Sequence, residues 1–230
     1  QQIAQDGMST SVELGELIDQ AQERLYGIFQ EKYRPTYLPV EQIISQVVAD
    51  VKTRVDSKDS NLGVPTGFID LDAKLSGLIK SNLIILAARP SMGKTALALN
   101  IAAHAALREK VPVVIFSLEM SSIELGYRLL AAEARIDAKL LKEGRLNKED
   151  WPRFIDGVKR LSAAPIVVDD TPALGILELR ARARQLARQG KCGLLVLDYL
   201  QLVRGAGGSQ QSREQEIAEV SRMLKATAKE

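Results

Sequence analysis

Cysteine is almost missing from this chain: Cys192 is the only one in 230 residues. A disulfide framework and a cysteine-rich metal site are therefore excluded, and a reducing cytoplasm is the expected compartment. Cys192 lies beside an apolar run and reads as a small buried hydrophobe. Histidine is just as scarce. His104 stands alone among alanines, and with no second ligand in range it reads as a packed or surface residue. Aromatic residues make up only 4%, so the core must be aliphatic, and a hydrophobic content of 46% is enough to build one. Net charge is close to balance at +2, so no global field points to nucleic acid and any such site must be local. No apolar run approaches the roughly 18 residues that a membrane span needs, and no signal peptide is visible. The first residue is Gln1 and not a methionine, so a longer gene product is expected.

What is present divides into an appendage and a core. Residues 10–29 carry Leu14, Leu17, Ile18, Ala21, Leu25 and Ile28 at helical period, behind a capping-box pair, Thr10 and Glu13. "EKYRPTYLP" (31–39) is a connector with two prolines. A second helix is predicted over about 40–55, with Val40, Ile43, Ile44, Val47, Val48, Val51 and Val55 in one apolar stripe. Two partners suit that stripe: its own domain, or another subunit. A polar, turn-rich linker, "DSKDSNLGVPTG" (56–67), follows.

From about residue 64 strands and helices alternate. "NLIILAA" (82–88), "VPVVIFSL" (111–118), "PIVVDD" (165–170) and "GLLVLDYL" (193–200) are Val-, Ile- and Leu-rich runs of the kind buried on both faces of a parallel sheet. Helices are predicted after Lys94, over about 122–136, around Trp151, Phe154, Ile155, Val158 and Leu161, over about 175–189, and through Ile217, Val220 and Leu224. The pattern predicts an α/β domain with a mainly parallel sheet, whose ligands bind at the carboxyl ends of the strands.

Those strand ends carry suitable chemistry. "AARPSMGKT" (87–95) lies between a predicted strand and a predicted helix, as a phosphate-binding loop must. Gly93 lets the backbone approach phosphates, Lys94 suits β- and γ-phosphates, and the Thr95 hydroxyl suits Mg²⁺. Ala88 replaces the first glycine of the usual G-x-x-x-x-G-K-[ST] pattern, a modest change if φ is negative there and a costly one if it is positive. Asp198 ends "LLVLD", where an acid can hold Mg²⁺ directly or through water. Glu119 lies just past "VVIFSL", where a carboxylate can polarise an attacking water. Any one of these acids could be a helix cap or a solvated turn, but three strand ends together argue for ATP.

The series "GVPTGFIDLD", "LIILAARPSMGKTALALNIA", "VVIFSLEMS", "DWPRF", "IVVDD" and "LLVLDYLQLV" resembles the RecA-like motor domain of the DnaB family of bacterial replicative helicases. The resemblance covers 64–230 well and the appendage more loosely, and an alanine before "RPSMGKT" is a familiar variant in that family. It implies a RecA-like P-loop NTPase fold preceded by the end of an N-terminal helical domain (1–31) and a linker (32–63) with its docking helix. It implies ATP and Mg²⁺ as cofactors, with Arg89, Pro90, Ser91, Met92, Gly93, Lys94, Thr95 and Ala96 around the nucleotide, Thr95 and Asp198 on the metal, and Glu119 as the catalytic glutamate. It also implies DNA replication in the cytoplasm, a homo-hexameric ring formed through helix 40–55, single-stranded DNA, and primosome contacts with primase and a helicase loader.

The DNA contact is less specific in the residues. "VRGAGGSQQSREQE" (203–216) is Gly- and Ser-rich, with Arg204 and Arg213, and suits either a channel loop on phosphates or a surface loop. Arg180, Arg184 and Arg188 form a basic helical stripe, a solvated face or a subunit contact. After "SRMLKATAKE" the family continues with a sensor strand, further loops and a neighbour-reaching arginine. An arginine finger contributes roughly 10³–10⁵ in turnover in related NTPases. The chain alone is thus expected to bind nucleotide weakly and hydrolyse it poorly. Two other readings fit the residues: a different RecA-like ring ATPase of recombinase or clock type, and a truncated, non-catalytic assembly fragment.

Overall fold

The computed structural model describes residues 38–57, 62–205 and 212–230, with two compact units, Gln1–Asp59 and Ser60–Glu230. The predicted helix over 10–29 and most of the 31–39 connector lie outside the described residues, as do 58–61 and 206–211.

In the first unit the described part is helix α1, Val40–Ser57. It starts after Pro39, whose carbonyl accepts from the amides of Gln42 and Ile43. Glu41 lies in the first turn, where a negative charge favours the helix dipole. The seven apolar residues of its stripe are all Val or Ile, whose stiff χ1 lowers helix propensity. They are 41–72% exposed.

In the second unit a parallel three-stranded sheet has the order β2-β1-β3. The central strand, β1 (Val113–Ser117), is wholly buried. β2 is Ile166–Asp169 and β3 is Leu194–Asp198. Val113 pairs with Ile166 on one side and Leu194 on the other, and Ser117 with Asp198. Alternate residues of β1 face opposite layers, as strand geometry requires. Val113 and Ile115 pack with Leu99, Ala102, Ala105 and Ala106 of α3 (Lys94–Leu107) and Leu125 and Leu129 of α4 (Ser122–Ala134). Val114 and Phe116 pack with Ile176, Leu179 and Ala183 of α7 (Ile176–Arg188) and Val220 and Leu224 of α8 (Arg213–Lys229). Alanines on α3 allow a close approach to the sheet.

Three further helices, two of them short, complete the unit. α2 (Ile69–Leu75) follows the turn 64–67, whose Thr66 and Gly67 amides both donate to the Asp72 carboxylate. Burial opposes ionisation of that carboxyl, but hydrogen bonds from Thr66 and Gly67 outweigh it and hold it below its ordinary value. Gly67 has φ +84°, and a Cβ there would lie 2.6 Å from the His104 ring. His104 is therefore packed under this turn, with Glu109 3.6 Å from its Nε2. α5 (Ala138–Lys142) is capped by Asp137. α6 (Asp150–Ser162) crosses α4 at Gly157, whose missing side chain leaves room for Ala134.

One sequence expectation needs correction. Residues 82–88 form no strand, and Ile84, Ile85 and Leu86 are 49, 68 and 40% exposed. A strand exists through its ladder, and this run makes none among the described residues. Its start is tied instead to α8, where the Lys225 ammonium donates to the Ser81 carbonyl at 2.7 Å. The α6 stripe is only partly internal. Phe154 packs with the small cluster under α4, while Trp151, Ile155 and Val158 stay 50, 46 and 37% exposed.

Candidate functional site

The turn at 89–93 connects the 82–88 run to α3. The Met92 amide donates to the Arg89 carbonyl, and Ser91 (φ 63°) and Gly93 (φ 86°) are left-handed. Gly93 is the residue before α3 and has no side chain to cap it. The first amides of α3 thus keep their hydrogen-bonding capacity and the positive end of the helix dipole, which suits an anion. Arg89, Pro90, Ser91, Met92, Gly93 and Ala96 are all exposed around this end. Ala88 is not among the left-handed residues, so alanine in place of glycine carries no backbone strain.

Three side chains converge behind the turn. Asp198, at the tip of β3, is 6% exposed. The Lys94 ammonium lies 3.2 Å from its Oδ1, and the Thr95 hydroxyl donates to its Oδ2 at 2.6 Å. A buried carboxylate needs such partners, and here one cation and one hydroxyl supply them. Beyond Asp198, across a cis peptide bond, lies Tyr199. Its ring centroid is 4.3 Å from the same ammonium.

Glu119 stands on the neighbouring strand end. It is exposed and forms no hydrogen bond or ion pair among the described residues. Its turn is held on three sides. The Leu118 amide donates to the Asp198 carbonyl at 2.8 Å. The buried Ser117 hydroxyl donates to the Met120 carbonyl at 2.7 Å. The Ser122 amide donates to Asp170 at 2.6 Å, and that hydrogen bond holds the Asp170 carboxyl below its ordinary value. Ser121 then caps α4 by accepting from the Glu124 amide. Asp169, next to Asp170, accepts from Arg182 at 2.6 Å. Burial works against its ionisation, but hydrogen bonds from Thr171 and Arg182 prevail and lower its pKa.

Thr95 and Asp198 offer hard oxygen donors close together, which fits Mg²⁺ held by few protein ligands with phosphate and water completing the shell. Among the described residues no group of three or more His, Cys, Asp or Glu could hold a metal.

The other candidate residues lie elsewhere. Arg204 is exposed, and its backbone bridges to Leu174 and Ile176. Arg213, at the start of α8, is engaged by Glu216 and the Gln201 carbonyl. The rest of the loop between them, 206–211, lies outside the described residues. In the arginine stripe, Arg180 and Arg184 both bind Glu230, and Arg188 is exposed. Sequence reasoning gave no role to Ser117, Asp170 or Tyr199. Tyr199 could have been noticed as an aromatic beside a strand-tip acid in a chain with five tyrosines.

The family model of the DnaB-like helicase C terminal domain matches residues 63–230. The chain is 42% identical over 228 residues to the replicative DNA helicase DnaB of Geobacillus stearothermophilus, which covers 99% of this chain and 50% of that relative. It is 39% identical over 228 residues to the replicative DNA helicase DnaC of Bacillus subtilis, with the same coverage of 99% and 50%. The chain thus spans about half the length of the curated relatives it matches. Among solved structures, a DnaB-like replicative helicase, described with its primase interactions, superposes with a TM-score of 0.70 at 32% identity, over 80% of this chain and 45% of that one. A second solved structure, of an ATPase domain, superposes at 0.71 and 33% identity, over 80% of this chain and 66% of that one.

Proposed function

We propose that this chain, which belongs to the DnaB-like helicase C-terminal domain family, is the ATP-driven motor part of a replicative DNA helicase. From that membership, the observation that carries the reading is the convergence of Lys94 and Thr95 on Asp198 behind an exposed, glycine-bearing turn. Lys94 binds the β- and γ-phosphates of ATP, with the α3 amides and residues 89–93 and 96 around them. Thr95 and Asp198 hold Mg²⁺, which supplies neutralisation of phosphate charge when bound. Glu119 orients and polarises the attacking water, and its exposed carboxylate, unpaired among the described residues, suits that task.

The remaining parts follow the same reading. The exposed apolar stripe of α1 docks on the α/β unit of another copy, closing a six-membered ring. Residues 1–31 end a helical domain, 32–63 form the linker, and 64–230 form the motor. Arg204, Arg213 and the loop between them contact single-stranded DNA phosphates. Primase and a loader bind the assembled protein in the cytoplasm. Among the described residues no helix is long and apolar enough to cross a membrane.

The test is nucleotide binding and turnover, with and without single-stranded DNA, against Lys94→Ala. Fluorescent ATP should bind the chain and be lost in the variant, and DNA should stimulate turnover of the assembled ring. Equal binding by wild type and Lys94→Ala would refute the nucleotide site. DNA-independent turnover in the assembled ring would refute the motor.

A further inference from the structure

Lys94 is a flexible side chain held in one place. Its stem has several rotatable bonds, and ordering it costs entropy that a bound phosphate would otherwise have to overcome. Two contacts order it in the free chain: the Asp198 carboxylate at 3.2 Å and the face of the Tyr199 ring at 4.3 Å from its centroid. The carboxylate cannot swing to follow a moving lysine, because its other oxygen is bound to the Thr95 hydroxyl at 2.6 Å. The two contacts differ in kind. Asp198 is an anion and competes with an incoming phosphate for the ammonium. The ring is neutral and attracts the cation through its quadrupole, so it orients the charge without cancelling it. The Tyr199 hydroxyl makes no hydrogen bond among the described residues, so the ring face is what this position contributes.

We infer that Tyr199 is a positioning residue of this site, whose ring face holds the Lys94 ammonium beside Asp198 before any nucleotide arrives. The consequence for binding rests on Lys94 being a phosphate ligand, as proposed above. Positioning itself is a property of the free chain.

The experiment therefore reads Lys94 directly. The native chain is acylated with trace acetic anhydride, and labelling of Lys94 is measured by mass spectrometry against Lys139, whose side chain is 81% exposed. Tyr199→Phe keeps the ring and should label Lys94 at the wild-type rate. Tyr199→Leu should label it faster by about two- to fivefold, the range that a cation–π contact at a partly exposed site corresponds to. Tyr199→Trp, with the stronger ring, should label it more slowly. Binding of fluorescent ATP with Mg²⁺ should weaken by a similar factor in the leucine variant and not in the phenylalanine variant. Equal Lys94 labelling in wild type and Tyr199→Leu overturns the inference, as does a phenylalanine variant that labels like leucine. Should the leucine variant not fold by circular dichroism, the tryptophan variant decides: labelling no slower than wild type overturns the inference. Equal nucleotide binding by wild type and Lys94→Ala would remove the phosphate-ligand reading, while the labelling result would still decide whether Tyr199 positions the lysine.

Discussion

Gly67→Ala tests how the turn before α2 is held against α3. Two penalties are built into the position. Its φ of +84° is left-handed, which costs an L-residue about 1–2 kcal/mol. The new methyl would also lie 2.6 Å from Cγ and Nδ1 of His104, and such overpacking costs about 1–3 kcal/mol. Together they predict a loss of about 2–5 kcal/mol. For a unit of this size that lowers the melting temperature by roughly 4–20 °C, at 2–4 °C per kcal/mol. The two penalties separate in a double-mutant cycle. His104→Ala removes the clash and leaves the backbone strain. The double variant should therefore be more stable than the sum of the single losses predicts, by about 1–3 kcal/mol. Thermal or urea unfolding of the four chains measures it. A loss under about 1 kcal/mol for Gly67→Ala, or strict additivity with His104→Ala, would refute the packing argument.

Three further outcomes are expected. Phe116→Ala empties a site with no solvent exposure and should cost about 3–5 kcal/mol in unfolding, whereas Trp151→Ala, half exposed, should cost less, about 1–3 kcal/mol, from its ring contact with Phe154 and its covered half. The Glu230 carboxyl is lowered from 4.5 to about 2 by hydrogen bonds from Arg184 and then Arg180. Its folded value lies below its unfolded one, so its stabilisation is present above about pH 4.5 and is lost as pH falls toward 2. Melting curves of wild type and Glu230→Gln should accordingly converge across that window. Ile44→Asp with Val48→Asp should abolish self-association in sedimentation and leave the melting of the α/β unit unchanged.

Much of this site was legible because its chemistry sits at strand ends. The runs that became β1, β2 and β3 are short, apolar and rich in branched residues, and the register of a parallel sheet puts their carboxyl ends together. Lys94, Thr95 and Asp198 could thus be linked although 103 residues separate the last two. The run at 82–88 has the same composition, and composition could not tell that it makes no ladder. Apolar length reports a preference for burial, whereas a strand needs a partner at hydrogen-bonding distance. Trp151, Ile155 and Val158 likewise share a helical period with Phe154, but which part of a stripe is covered depends on the crossing angle with α4. Tyr199 was visible as an aromatic beside the strand-tip acid, but not that its ring face meets the Lys94 ammonium, and the Gly67–His104 contact was not legible because shape alone makes it.

The hydrogen bond between the Leu118 amide and the Asp198 carbonyl, beside the paired Ser117 and Asp198, has a mechanical side. It fastens the tips of β1 and β3 through main-chain atoms, and every amino acid except proline keeps that fastening. Side-chain replacement can change what the Glu119 turn and the Asp198 carboxylate do, but it cannot let one drift from the other. The link behaves as a rivet between two levers: a displacement of the β3 tip must reach the Glu119 turn, whatever residue occupies either position. Only proline at 118, or a change in chain length between the strand and the turn, would cut it.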